Sequence, residues 1–233
     1  DTTPEGEQVN IYGNHVGSWN FAATAYLNRW KVKIYYEHYF DDHSQMFFQY
    51  GRWKDGHIGL EITFPKNRFI DTFVYEGLGT KDQTGPMLYD SFWGEFEEQI
   101  SAKDNYYNHY LYQGWQHWGM GIGNPLLPGP IYNKNGQITF ISNRVLAHHI
   151  GFCGSPCQSL SYRMLLSYSR HWGTYDNPLN EIKKQFNSLF EVTYAPLQLK
   201  GWSFTVSGAM DRGSLLGNNY GGMLVIRKQG IIK

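Results

Sequence analysis

The stretch GWSFTVSGAMDR, residues 201 to 212, decides the fold class, because large apolar and small polar side chains alternate along it. In an extended chain Trp202, Phe204, Val206 and Met210 fall on one side. The side chains between them are polar and fall on the other side: Ser203, Thr205, Ser207 and Asp211. Alternation with a period of two is typical of a β-strand that has one apolar and one polar face.

The same alternation recurs along most of the chain, whereas apolar residues spaced by three and four are nearly absent. We therefore predict an all-β fold. The nine predicted strands cover residues 17–28, 30–40, 57–64, 69–78, 137–150, 159–172, 186–195, 201–212 and 219–228. Several of these strands are longer than the roughly 5 or 6 residues that are usual in soluble proteins. They are long enough for a tilted membrane crossing.

The predicted connections favour a transmembrane β-barrel, although a β-sandwich would show the same alternation. Short and long connections alternate from the first hairpin onward, which is typical of outer-membrane barrels with short periplasmic turns and long extracellular loops. If the last strand runs down to the periplasm, the segments 41–56, 79–136 and 173–185 lie outside the cell. We therefore predict an antiparallel barrel portion as a single domain over residues 1–233.

The strands also predict which side chains meet lipid. One face would carry Trp30, Val32, Ile34 and Tyr36 of the second strand, with Ile58, Leu60, Ile62 and Phe64 of the third. The other face would be charged and wet, and we assign the following residues to it: Lys31, Lys33, Glu37, Glu61, Glu76, Arg144, Arg163, Glu191 and Asp211. In a sandwich these charges would instead form the solvated outer face.

The amino-acid composition limits the kinds of partner and ligand that the chain can have. Lys+Arg and Asp+Glu are both 20, so we expect no nucleic-acid partner held by bulk charge. Aromatic residues make up 17% of the chain, and Tyr and Trp suit glycan-binding faces or the girdles of a membrane barrel. No apolar run is long enough for a transmembrane helix. The chain begins at Asp1 without a leader, so we expect any signal peptide to have been removed or to lie upstream.

The cysteines and glycines carry no cofactor motif. Cys153 and Cys157 are predicted to lie in a periplasmic turn, where they would form a disulfide or stay free thiols. No metal site is expected, since there is no second cysteine pair. The glycines of GMGIGNP (119–125) lack the strand and helix that a dinucleotide loop needs. No nucleophile signature is present, and we expect neither a cofactor nor an enzyme.

The segment 79–136 is the candidate ligand-binding region. Its stretch DNYYNHYLYQGWQHW (104–118) mixes aromatic rings with amide, imidazole and carboxylate groups, a mixture that suits the flat faces and hydroxyl edges of sugars. We predict a polysaccharide site formed by Asp104, Tyr106, Tyr107, His109, Tyr112, Trp115, His117 and Trp118. The alternative, which is compatible with the first, is that the segment folds into the lumen as a plug.

Long stretches of the chain resemble one family. They are GNHVGSWNF (13–21), YYEHYFDD (35–42), TKDQTGP (80–86), DNYYNHYLYQGWQHWGMGIGNPLL (104–127), NRVLAHHIGF (143–152), SYSRHWGTYD (167–176) and LLGNNYGGMLVIRK (215–228). Together they are similar to the C-terminal half of capsule assembly proteins of the Wzi type. The resemblance implies an 18-stranded outer-membrane barrel that binds capsular polysaccharide as a lectin without catalysis. The nine strands would be half of that barrel.

The resulting expectation is a surface protein of the outer membrane that binds capsular polysaccharide and helps to anchor the capsule. Its other partners would be membrane lipid and either the missing N-terminal half of the barrel or a partner chain. Two alternatives stay open at this stage. One is a secreted all-β polysaccharide-degrading enzyme that uses Asp104, Glu37 or another carboxylate pair, and the other is an outer-membrane diffusion channel.

Overall fold

The computed structural model describes residues 17–40, 55–67, 69–81, 138–174 and 177–230, with short pieces between 116 and 132. All regular structure in these residues is β, as predicted. Nine strands are long: β1 Gly17–Leu27, β2 Trp30–Phe40, β3 Gly56–Thr63, β4 Thr72–Gly79, β9 Val145–Cys157, β10 Leu160–Gly173, β11 Pro178–Tyr194, β12 Trp202–Gly213 and β13 Asn219–Lys228. Four are short: β5 Gln116–His117, β6 Met120–Gly121, β7 Pro130–Tyr132 and β8 Ile138–Phe140.

The nine long strands form one antiparallel sheet in the order β1-β2-β3-β4-β9-β10-β11-β12-β13. Every neighbour in the sheet is therefore the next long strand along the chain. The short strands form two separate hairpins, β5-β6 and β7-β8, in the segment between β4 and β9. Within the described residues β1 and β13 each pair on one side only, so the sheet has two edges.

Two of the connections between strands contain a residue with a left-handed backbone. Asn28 has φ 61° in the turn 28–29 between β1 and β2, and asparagine occupies this region more easily than other residues with a Cβ. Gly201 has φ 78° just before β12, and its carbonyl accepts a hydrogen bond of 2.7 Å from the Gln229 amide. These turns keep consecutive strands in register.

Directly paired residues of antiparallel strands share a face, so the register assigns every strand residue to one of two faces. The apolar face bears Trp30, Ile34, Ile58, Ile150, Phe190, Val206, Leu224 and Ile226, all exposed. No described element covers it. The opposite face, which we call the polar face, bears the strand carboxylates. The described residues thus form one layer, and the two-layer sandwich is not observed.

The largest differences from the predicted strand boundaries are in the fifth and seventh long strands. The fifth long strand covers Val145–Cys157 instead of 137–150, and β11 begins at Pro178 instead of 186. The connections 174–177 and 214–218 lie at the end of the sheet where long connections were predicted. Both are shorter than 195–201, which lies at the opposite end. The predicted alternation of short and long connections holds for the first five connections and fails after β10.

The predicted turn around the cysteines is wrong, because Cys153 and Cys157 both lie in β9. The pairing of β9 with β10 shifts between Leu160 and Tyr162, and this bulge accommodates Pro156, which has no amide hydrogen for the ladder. Both cysteines are free thiols in the structure. A strand rise of about 3.3 Å per residue separates positions four apart by more than a disulfide can bridge.

A small apolar core lies on the polar face, at the end where β4 finishes and β9 starts. Leu127, from the segment between these strands, packs with Leu78, Val145 and Ala147, and Tyr39 of β2 borders the cluster. This end of the polar face is therefore covered by part of that segment. None of the described residues belongs to a helix of the length and hydrophobicity that a membrane span requires.

Candidate functional site

The main candidate site is a line of polar residues that crosses the polar face from β2 to β13. We call it the polar row. Its members are connected by the strand register, each pairing directly with the next except where Gly59 of β3 intervenes. They are Tyr35, Glu76, His149, Ser167, Asn187, Asp211 and Asn219. Amide, carboxylate, imidazole and hydroxyl groups thus stand side by side on seven strands.

On β3 the position in the polar row is occupied by Gly59, which has no side chain. A Cβ on Gly59 would lie 2.0 Å from the ring of Tyr35, so the tyrosine ring occupies the space above this residue. Its hydroxyl donates a hydrogen bond to Glu76 on β4, two strands away. Tyr35 therefore replaces the side chain that β3 lacks and keeps the row continuous.

Next to Tyr35, a histidine lies between two carboxylates. His57 Nδ1 is 3.8 Å from Glu37 Oε2, and His57 Nε2 is 3.5 Å from Glu76 Oε1. The Ser18 hydroxyl donates to the other oxygen of Glu37 at 3.0 Å. A protonated imidazole here balances part of the negative charge of both carboxylates. The cluster links β1, β2, β3 and β4 on the polar face.

The second half of the row is held by close hydrogen bonds. His149 Nδ1 is 2.6 Å from the Ser167 hydroxyl, and Asn187 Nδ2 donates to Asp211 Oδ1 at 2.6 Å. Both links join residues that are paired across neighbouring strands. The side chains are therefore fixed in position before any ligand binds, which lowers the entropy cost of binding.

A second line of polar residues crosses the same face nearer the end of the sheet that contains the turns 28–29 and 158–159. Arg163 Nη2 is 3.3 Å from Glu191 Oε1, and the Ser207 hydroxyl donates to Glu191 Oε2 at 2.9 Å. The hydroxyls of Thr193 and Thr205 are 2.8 Å apart. Between the two lines lie Leu165 and Leu189, which pair directly. The polar face thus presents polar, apolar and polar bands in turn.

This arrangement can form hydrogen bonds with a molecule that carries many hydroxyl groups. The row offers hydrogen-bond donors and acceptors across its whole length, and the leucine band offers contact for C–H groups. Among the described residues, no group of histidines, cysteines and carboxylates could hold a metal ion. The carboxylates of Glu37 and Glu76 both lie beside the imidazole of His57.

The predicted binding residues lie mostly outside the described part of the chain. This applies to Asp104, Tyr106, Tyr107, His109, Tyr112, Trp115 and Trp118. His117 lies in β5, where its backbone pairs with Met120. The prediction that these residues bind polysaccharide therefore stays a prediction.

The predicted polar-face charges are placed together by the register, with one exception. Lys31, Lys33, Glu37, Glu61, Glu76, Arg163, Glu191 and Asp211 share the polar face. Arg144 is the exception, because it precedes β9, and its Nε donates to the Lys81 carbonyl at 3.0 Å. The sequence reasoning missed His57, His149, Ser167 and Asn187 as members of the site. Each of them lies two residues from another polar-face residue on its strand, and this spacing could have assigned it to the polar face.

No protein family, no curated protein and no solved structure matches this chain.

Proposed function

We propose that the chain is a portion of an outer-membrane β-barrel whose apolar face contacts lipid. The observation that carries the proposal is the apolar face of a nine-stranded sheet, which none of the described residues covers. Val206 and Leu224 pair across β12 and β13 and are 61% and 65% exposed. Exposed apolar patches of this extent are rare on proteins in water and mark contact with a membrane or another protein. The strand lengths, from 8 to 17 residues, include those that a membrane crossing needs.

Lipid contact in turn requires that the edges β1 and β13 be paired. An unpaired strand edge is not viable in hydrocarbon, because its amides and carbonyls find no water. We propose that further strands complete the wall, supplied either by an N-terminal half of the same protein or by a partner chain. An 18-stranded barrel of the Wzi type, to which the sequence is similar, would meet this requirement.

The proposed ligand is a capsular polysaccharide, bound at the cell surface without catalysis. The polar row would lie inside the barrel and offer amide, carboxylate and hydroxyl groups to sugar hydroxyls. The aromatic residues of the stretch 104–118 would stack on sugar rings from the extracellular side. Each contact would be modest in affinity, and the repeating polymer would sum many of them through avidity.

The test is a double variant, Trp115→Ala with Trp118→Ala, compared with the double variant Trp115→Phe with Trp118→Phe. Phenylalanine keeps an aromatic face for stacking and alanine does not. Protein extracted from the outer membrane in mild detergent is titrated with capsular polysaccharide purified from the strain that produces it. We expect the alanine variant to lose at least tenfold in affinity and the phenylalanine variant to lose less than threefold.

Unchanged affinity in the alanine variant, with wild-type extraction and folding, would contradict the polysaccharide proposal. The two alternatives have different readouts in the same preparation. A polysaccharide-degrading enzyme would release reducing sugar ends during the titration. A diffusion channel would raise the conductance of a planar bilayer, whereas a barrel filled by the segment 79–136 would conduct little.

A further inference from the structure

The apolar face carries very few charges, and they are unevenly placed. The register assigns all carboxylates of the nine strands to the polar face, and only four cations to the apolar face. Lys228 lies at the end of the sheet that contains the turns 28–29 and 158–159. The other three, Arg170, Lys184 and Arg212, lie together at the opposite end, on β10, β11 and β12.

These three cations are neighbours. Arg170 pairs directly with Lys184, and Arg212 pairs with Phe186, two residues further along β11 on the same face. Directly paired positions are about 5 Å apart and diagonal ones about 7–8 Å apart, so the three side chains can reach a common ligand. All three are exposed. Among the described residues, none of them takes part in an ion pair.

A fourth cation and a tryptophan extend the cluster. Trp172 follows Arg170 on the apolar face of β10, and the ring is approached by Arg170 Cζ at 5.4 Å and by Lys81 Nζ at 5.2 Å. Tryptophan is favoured where hydrocarbon meets lipid headgroups. We call Lys81, Arg170, Lys184 and Arg212 the basic rim patch.

A groove of about 300 Å³ opens on the same face one residue pair closer to the middle of the strands. Its lining on this face consists of Met164, Ser188, Phe190, Gly208, Met210 and Tyr220. Gly208 leaves the floor open, since a Cβ added there would meet nothing within 4 Å. Met210 is two residues from Arg212 on β12, a separation of about 7 Å along a strand. The groove therefore begins next to the basic rim patch.

We propose that the basic rim patch and the groove together bind one lipid of net negative charge. The phosphate headgroup contacts Arg170, Lys184 and Arg212, and an acyl chain lies in the groove over Gly208. Charge complementarity selects the occupant, because three cations that pair with no carboxylate of the described residues stand beside an apolar groove. A polysaccharide chain or a neutral lipid would use only part of this surface. The inference rests on the proposed contact of the apolar face with lipid.

The experiment uses protein extracted from its membrane in mild detergent, washed free of lipid and titrated with phosphatidylglycerol or phosphatidylcholine. Bound lipid is counted by native mass spectrometry. The test variant is R170A/K184A/R212A. The matched control, K200A/R227A/K228A, removes the same charge at the other end of the sheet. With about fivefold affinity per cation near an anionic lipid, the test variant should lose on the order of 100-fold for phosphatidylglycerol. The control should lose less than threefold.

The groove is tested separately by Gly208→Leu, with Gly221→Leu as its control. A Cβ at either glycine meets nothing within 4 Å; the backbone of Gly221 also borders the groove, but a side chain added there would lie on the polar face. We expect only the leucine at Gly208 to weaken phosphatidylglycerol binding. Equal losses in both cation variants, or equal affinity of the wild type for the two lipids, would overturn the lipid site. A protein that leaves the membrane without detergent would instead contradict the proposed function.

Discussion

A charge placed on the apolar face distinguishes lipid contact from water contact. Val206 lies near the middle of β12 and faces outward between Val192 and Leu224, to which it is paired. β12 has 12 residues, which at about 3.4 Å per residue and a tilt of about 45° cover roughly 28 Å, close to the thickness of the hydrocarbon core. Val206 therefore lies near the bilayer midplane if the strand crosses the membrane.

We expect Val206→Arg to lower the free energy of unfolding by about 2–4 kcal/mol, the cost of arginine at the midplane of a barrel wall. On a surface in water the same change would stay within about 0.5 kcal/mol. The matched control is Ala209→Arg, which is exposed on the polar face of the same strand. That variant should unfold like the wild type.

The measurement is denaturant unfolding of the assembled barrel in lipid vesicles, followed by tryptophan fluorescence. A loss of about 3 kcal/mol corresponds to roughly a 150-fold change in the folding equilibrium. If Val206→Arg and Ala209→Arg both lie within about 0.5 kcal/mol of the wild type, the apolar face does not contact hydrocarbon. Equal large losses would show that both faces are buried.

Three further changes test the packing of the sheet. Gly59→Ala should displace the Tyr35 ring, whose Cζ would lie 2.0 Å from the new Cβ, and cost about 1–3 kcal/mol in the same unfolding assay; a cost below 0.5 kcal/mol would disprove the close contact. Gly154→Ala places a Cβ 1.7 Å from the Phe69 carbonyl oxygen, and reduced yield of folded protein is expected; a normal yield would contradict this approach. Asp211→Leu leaves the Asn187 amide without its 2.6 Å acceptor and should cost about 1–3 kcal/mol, whereas Ser203→Leu should not.

Local alternation was sufficient to predict most of the sheet. The strands β2 and β13 have the predicted bounds, β1 ends one residue earlier than predicted, and β12 is shifted by one residue at both ends. The alternation between apolar and polar residues is clearest in β2 and β12. A short turn after the first strand was also predicted, but Asn28, which has φ 61°, lies in that turn and not at the end of the strand as predicted.

The errors have a local cause. Gly151, Gly154 and Pro156 are typical turn residues, and they led to a turn where β9 continues. Gly154 is required because the Phe69 backbone crosses close above it, a contact that the sequence cannot show. The first half of β11 was missed because Lys184 stands among apolar-face positions and breaks the alternation.

The candidate site depends on register, which joins residues far apart in the chain. Glu37 and Glu76 could be assigned to the polar face from alternation alone. That His57 lies between them depends on how β2, β3 and β4 are aligned, and a shift of one residue would reverse the faces. The same holds for the pairing of Asn187 with Asp211.

Spin labels on the two faces test the central claim most directly. With Cys153 and Cys157 replaced by serine, single cysteines are placed at Leu224 on the apolar face and at Ala209 on the polar face, and each label is exposed to oxygen and to a water-soluble nickel chelate in vesicles. Oxygen dissolves preferentially in hydrocarbon and the chelate in water. We predict that the label at 224 is accessible mainly to oxygen and the label at 209 mainly to the chelate. If the label at 224 is shielded from both reagents, or is reached by the chelate as readily as the label at 209, the apolar face does not contact lipid.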